Sequence, residues 1–210
     1  SMRRWRYGPG VHKVDFLLNA PVPWADPRVG KAATVHVGGT AAEIAHAEKQ
    51  IARGLMPNRP FVMVCQQYVA DPTRSAGNVN PVYAYAHVPK GYEGDATDLV
   101  TRAVEEYAPG FSDLVLASVA TRATDFAEAV SPNFAGGDFA GGAVSVAQMV
   151  KRPVVSTAPW RTPLDGVYLG SGATAPGPAV HGMSGWHAAR TLLADHGVEA
   201  PSLAPSVTRK

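Results

Sequence analysis

Between Val82 and Val88 the chain reads Val-Tyr-Ala-Tyr-Ala-His-Val, with Tyr83 and Tyr85 alternating with Val82, Ala84 and Ala86. A period of two is the repeat of an extended strand, whose successive side chains point to opposite faces. The run therefore predicts a strand in a sheet with two unlike faces. Residues 11–18, 33–37, 61–69 and 114–122 have the same β-branched and aromatic character, and Gly166–Leu169 reads as a further short strand. The Pro-rich stretch Pro21–Pro27 continues neither neighbouring strand and predicts an irregular connection. The turn-forming residues 71–77 predict a hairpin or longer antiparallel excursion between 61–69 and 82–88.

Three helices interrupt these strands. Thr40-Ala41-Ala42-Glu43 is a capping box ahead of an Ala-rich pattern that runs to Arg53 before Gly54. A second helix is predicted over Ala96–Tyr107, with Asp95 as N-cap and Pro109-Gly110 as the stop, and a third over Gly185–His196, ended by Gly197. The fold class that follows is α+β, a mixed and largely antiparallel sheet with flanking helices.

At 210 residues, with 46% hydrophobic and 17% charged side chains, the chain is long enough for a large core and is not globally disordered. Gly and Pro, about a fifth of the residues, predict a loop-rich fold short of low complexity. A net charge of +2, with one basic cluster at Arg3, Arg4 and Arg6, excludes an electrostatic nucleic-acid footprint. The single Cys65 lies in the apolar run 61–65 and reads as a buried thiol in a reducing, cytoplasmic setting. No run approaches the ~18 apolar residues of a transmembrane segment.

The segment 166–196 comes close to three catalogued motifs. Gly170–Ala175 fits G-x-G-x-x-A after a strand, yet Pro176 and Pro178 prevent a helix from following at once. Gly177–Ser184 has P-loop glycine spacing but places Met183 where the phosphate-binding lysine belongs. Gly182–Gly185 begins a nucleophile elbow, but Trp186 occupies the position of its last glycine. Common to all three is a glycine-rich loop feeding a helix N-terminus, a setting suited to an anionic ligand. His12, His36, His46, His87 and His187 read as structural residues without metal-ligand spacing; His181, inside the glycine loop, suits function and structure equally.

Trp5–Asp15, Ala86–Pro89, Ala108–Phe111, Asn133–Asp138 and Gly166–Gly185, taken in order, resemble the C-terminal part of the phytoene-desaturase-like FAD-dependent oxidoreductases, a branch of the amine-oxidase-like flavoproteins. The resemblance spans about residues 5–196 and implies a substrate-binding domain over 5–165. It further implies an FAD-proximal strand–loop–helix over 166–196, part of an FAD-binding domain otherwise absent; independently of it, Pro201 and Pro205 predict a disordered tail over 197–210. Carried over by position, the flavin neighbours are Gly172, Gly177, Val180, His181, Gly182 and Met183. Backbone N–H groups there would face the N1 and O2 edge of the flavin and favour the reduced ring's negative charge. Gly170 and Ser184 depart from the cysteines common in that family, and Pro178-Ala179 from its glycines.

The resemblance thus implies the substrate-binding and flavin-proximal portion of an FAD-dependent dehydrogenase or desaturase acting on a hydrophobic small molecule. No catalytic residue and no metal ligand are assigned, because the flavin carries the chemistry in such enzymes. The G-x-G-x-x-G unit of the family has no counterpart ahead of Trp5, so weak or no FAD binding is expected of this chain alone. An N-terminal FAD-domain polypeptide is one expected partner, and exposed edges left by that domain favour a homodimer. The competing reading is a stand-alone, non-catalytic binding module or partner subunit.

Overall fold

The computed structural model describes residues 4–201, which divide into two compact units. One spans Tyr7–Phe139 and the other joins the N-terminal residues up to Arg6 with the chain from Ala140 onward. The passage between units thus falls before the 165/166 boundary that the resemblance implies. The expected tail lies, past Pro201, outside the described residues.

The first unit is an α+β fold around a five-stranded antiparallel sheet. Its strands are β1 (Gly10–Leu18), β2 (Thr34–Val37), β3 (Val62–Cys65), β4 (Asn80–Val88) and β5 (Val115–Thr121), in the order β2-β3-β4-β1-β5. The alternation in β4 governs its burial: Val82, Ala84, Ala86 and Val88 are buried, whereas Tyr83, Tyr85 and His87 on the opposite face are half-buried. In register with them, Val62 and Val64 of β3 and Val14 and Phe16 of β1 extend the buried face. Helix α3 (Thr97–Glu105) contributes Val100 and Val104, one helical turn apart, and Ala108 and Phe111 complete the layer. Phe111 meets Phe16 edge-on at 5.1 Å.

Helix α1 (Ala41–Ala52) begins as its capping box dictates. Glu43 N donates to Thr40 Oγ1, and the Glu43 carboxylate accepts from Thr40 N at 2.8 Å. In α3 the cap lies one residue later than expected. Ala96 is the N-cap, and the Asp95 carboxylate accepts from Thr97 N at 2.8 Å just before the first full turn.

The expected strand 61–69 is cut short at Cys65 by Gln66. This fully buried side chain accepts from Trp24 Nε1 (2.9 Å) and the Tyr68 hydroxyl (3.1 Å) and donates to Ala32 O (2.8 Å). The backbone then closes into the single turn α2 (Gln67–Ala70), and Tyr68 Oη accepts from Val22 N. A buried polar hub thereby ties the irregular 21–27 connection to the sheet. Cys65 is buried, as expected of a free thiol in an apolar run.

Further along the unit are the single turn α4 (Phe126–Ala129) and the 133–138 loop. The loop packs tightly on β1: a Cβ at Gly10 would lie 2.6 Å from Gly136 O. The fully buried His12 is reached at Nε2 by Thr97 Oγ1 (3.1 Å) and Asp95 (3.3 Å), while its Nδ1 has no partner among the described residues.

Replacing Gln66 by Leu orphans the buried Trp24 indole N–H and the Ala32 carbonyl. Urea unfolding followed by tryptophan fluorescence should register a loss of about 1–3 kcal/mol. Burial holds His12 below its ordinary value of 6.5, against the opposing pull of Asp95. The unfolded chain therefore takes up a proton first as the solution is acidified. Stability should be full above about pH 6.5 and erode as pH falls through 6.5 toward the lower folded value, a slope that His12→Gln should flatten.

Candidate functional site

The second unit carries the glycine-rich loop and its helix. Helix α5 (Val146–Val150) starts at Ser145, whose hydroxyl accepts from Gln148 N, and Gln148 in turn grips Arg6 through Arg6 N to Oε1 (3.0 Å) and Nε2 to Arg6 O (2.8 Å). Helix α6 covers Met183–Asp195, two residues earlier at its start than the sequence predicts. The early start has a local cause: Gly182 takes the left-handed conformation (φ 64°), and His181 Nδ1 accepts the Met183 N–H at 3.0 Å. That bond requires an unprotonated Nδ1 and so places the ring proton of neutral His181 on Nε2.

Arg152, fully buried, organises the loops behind α6. Its Nε donates to Gly172 O and one terminal nitrogen to Ala140 O, both at 2.6 Å, with longer contacts to the Gly142 and Ala143 carbonyls. Its guanidinium also lies 5.4 Å from the Trp5 ring centre. Nothing in the Lys-Arg-Pro run at 151–153 sets this residue apart from a solvated charge, and it was missing from the expected site for that reason. Around it the chain packs at glycine distance. A Cβ at Gly177 (φ +110°) would meet Met149 Cε at 2.8 Å, and one at Gly170 would lie 3.1 Å from Gly185 Cα in the first turn of α6. Ser184 is buried, its hydroxyl donating to Thr174 O at 3.3 Å, which leaves it engaged with the loop backbone.

Of the residues expected to border a flavin, Val180, His181, Gly182 and Met183 are contiguous at the start of α6. The first three are exposed, Val180 fully. Gly172 lies behind them under the Arg152 guanidinium, and Gly177 is buried against Met149. Pro176 and Pro178 keep 171–181 in turns, as expected, so no helix follows G-x-G-x-x-A directly. The helix start leaves the Ser184 and Gly185 N–H groups without intrahelical acceptors, and no acidic residue occupies the first turn. Such an end attracts negative charge.

Gly166–Leu169, expected as a strand, forms one bridge between Tyr168 and Arg161, closed by Leu169 N to Trp160 O. The partnering stretch is too short for a ladder. What holds it to α6 is polar: Asp195 accepts from the Tyr168 hydroxyl at 2.7 Å and pairs with Arg161. Trp160 stacks on His187 with ring centres 4.7 Å apart, which gives His187 the structural part expected of it.

The sheet unit has features of its own. A cavity of about 340 Å³ is lined by Trp24, Val35, His36, Ile44, Phe61 and Tyr107. On the half-open sheet face, Tyr85 and His87 approach Phe139, with ring centres 5.4 and 6.0 Å away, and His87 Nδ1 bonds Glu48 at 2.9 Å. Tyr83 stays protonated, its hydroxyl pushed up to about 12 by the Cys65 hydrogen bond and by burial. In the sequence only the alternation of Tyr83 and Tyr85 with small residues signalled this second face. Among the described residues no cluster of His, Cys, Asp and Glu could hold a metal ion, and no helix is long and apolar enough to cross a membrane.

No protein-family model matches the chain. It is similar to "Pyridine nucleotide-disulfide oxidoreductase domain-containing protein 2" of Rattus norvegicus and of Mus musculus. It is 30% identical to each over 200 residues, covering 87% of this chain and 34% of the relative. The chain thus spans about a third of the length of the curated relatives it matches.

Arg152→Met should leave several loop carbonyls without their donor and destabilise the unit by about 3 kcal/mol or more. Arg152→Lys, lacking the planar fork, should recover little of that, as thermal unfolding of both variants will show. The bonds from Arg161 and then Tyr168 hold Asp195 down to about 2. A carboxylate depressed in the folded state stabilises above its ordinary 3.8 and loses that contribution as pH falls through about 2. Amide exchange in the last turns of α6 should therefore accelerate over that acid range, and Asp195→Asn should remove the response.

Proposed function

We propose that the chain is the substrate-binding and flavin-proximal portion of an FAD-dependent oxidoreductase of the dehydrogenase or desaturase type. The observation that carries this reading is the start of α6: a glycine loop tied down by Arg152 presents exposed residues 180–182 and two amides without intrahelical acceptors, with no acidic residue in the first turn. Those groups fit the electron-rich edge of a flavin, with Val180, His181, Gly182 and Met183 beside the ring and Gly172 and Gly177 shaping the loop. FAD, when bound, would supply the hydride-accepting chemistry. The chain's share is to orient the ring and to favour negative charge at the helix end.

The likeness to the rat and mouse proteins, whose printed name is that of an oxidoreductase domain, supports the general class. The phytoene-desaturase-like and amine-oxidase-like reading rests on the motifs at 5–15, 86–89, 108–111, 133–138 and 166–185. In it, residues 5–165 bind substrate and 166–196 approach the cofactor. A hydrophobic substrate is favoured by the half-open aromatic face formed by Tyr83, Tyr85 and Phe139. Val146, Val155, Leu164 and Val180, between 68% and 109% exposed, favour packing against an FAD-domain polypeptide. Cys65 as a free thiol fits a cytoplasmic setting.

The alternative, a non-catalytic binding module, draws on the 340 Å³ cavity near Trp24, which is of a size for a small ligand. Titration of the isotopically labelled chain with riboflavin separates the two. Shifts concentrated in the amides of 180–186 are expected. Shifts confined to residues around Trp24 and Phe61 would overturn the flavin reading.

A further inference from the structure

The cavity of about 340 Å³ in the sheet unit is lined by the rings of Trp24, Phe61 and Tyr107, with aliphatic Val29, Val35 and Ile44 between them. Trp24 is only 9% exposed and its indole N–H is engaged by Gln66, which fixes the ring and leaves its π surface as what it can offer a ligand. His36 stacks on Phe61 with ring centres 5.3 Å apart. Elsewhere in the protein, rings already hold a cation of the chain itself: Lys13 lies over Tyr83, Lys90 over Tyr7, Arg152 over Trp5 and Arg190 over Trp186. Among the described residues no lysine or arginine lies over Trp24, Phe61 or Tyr107.

The carboxylates on the lining give it one sign of charge. Asp26 and Glu106 border the cavity, and no lysine or arginine does. Both oxygens of Asp26 accept from Arg28, which holds its carboxyl below the usual range. Glu106 accepts from Arg59 at Oε1, while its Oε2 has no hydrogen-bond partner among the described residues. Arg28 and Arg59 stand outside the lining, and both side chains are more than half exposed to water.

We propose that this cavity binds a small quaternary ammonium ion of the choline type, its methyl groups against the rings of Trp24, Phe61 and Tyr107 and its charge balanced by Glu106. An anion would meet two carboxylates and no basic side chain on the wall. A neutral hydrocarbon would fill the space without gaining anything from those carboxylates. A primary ammonium is strongly hydrated and brings three N–H donors into a cavity walled mainly by hydrocarbon, so its dehydration costs more. A quaternary ammonium has no donor to satisfy, presents carbon to the aliphatic wall, and is attracted by ring faces. The site lies wholly within the sheet unit, so it stands whether or not the start of α6 meets a flavin.

The charge preference can be tested at constant shape. The isotopically labelled chain is titrated with choline, with the neutral alcohol in which carbon replaces the choline nitrogen, and with the carboxylate derived from that alcohol. Choline should shift the amides of 24–26, 35–39, 61 and 106–107 and bind about five- to thirty-fold more tightly than the alcohol, the range expected of a cation on ring faces. The carboxylate should not bind. Glu106→Gln should weaken choline at least about threefold and leave the alcohol unchanged. Arg59→Ala breaks the same bridge while keeping the Glu106 carboxylate, and should bind choline at least as tightly as the parent. Tyr107→Leu, which keeps an apolar wall but removes a ring, should narrow the gap between choline and the alcohol. Equal affinity for choline and the alcohol, binding of the carboxylate, no response of the cavity amides to choline, or equal losses in Glu106→Gln and Arg59→Ala would each overturn the proposal.

Discussion

The two-sidedness of β4 is the constraint on which the sheet unit rests. Pairing on both flanks, with β1 and β3, leaves β4 no freedom to slip, because a shift of one residue would bury three rings and expose the valines and alanines. Ala84 and Ala86 at its centre are small, which lets the valines of α3 and the Phe16–Phe111 pair fill the space above. The opposite face, with Tyr83, Tyr85 and His87, is built from residues that tolerate partial contact with water. One alternating run thus sets both a core and a surface with chemical potential.

Much of this was legible in the order of residues. Periodicity located β1, β2, β4 and β5 to within a residue or two, and the Thr40–Glu43 pair marked the start of α1, because these signals are local and the structure reads them locally. The failures share another character. Strand β3 ends early because Gln66 is needed by Trp24 and Ala32, residues distant in sequence, and no local propensity reports such a demand. Gly166–Leu169 has the side chains of a strand but lacks a ladder partner, and strand content is a property of the pair. Asp95 does bond the Thr97 amide as a capping residue would, yet the helix itself begins one residue later, with Ala96 as N-cap.

The candidate site was visible as a location and hidden as a mechanism of assembly. Glycine spacing and proline placement pointed to 170–185, and the loop does lead into a helix whose Ser184 and Gly185 amides lack intrahelical acceptors. What holds the loop, and what starts the helix two residues early, came from side chains of ambiguous type. An arginine in a basic run reads as surface, and a histidine among glycines reads as a ligand as readily as an acceptor for a helix amide. Burial decides the first and a 3.0 Å bond the second.

Arg152 has a further implication for how such a chain can vary. Its acceptors at Ala140, Gly142, Ala143 and Gly172 are all main-chain oxygens, which every amino acid supplies alike. At those four acceptor positions the hold on the loop does not depend on side-chain identity, and what is required there is the cation and room where a Cβ would be too crowded. Related chains could rewrite exposed Ala179 and Val180, and with them the preference for what lies alongside, while keeping the same frame underneath.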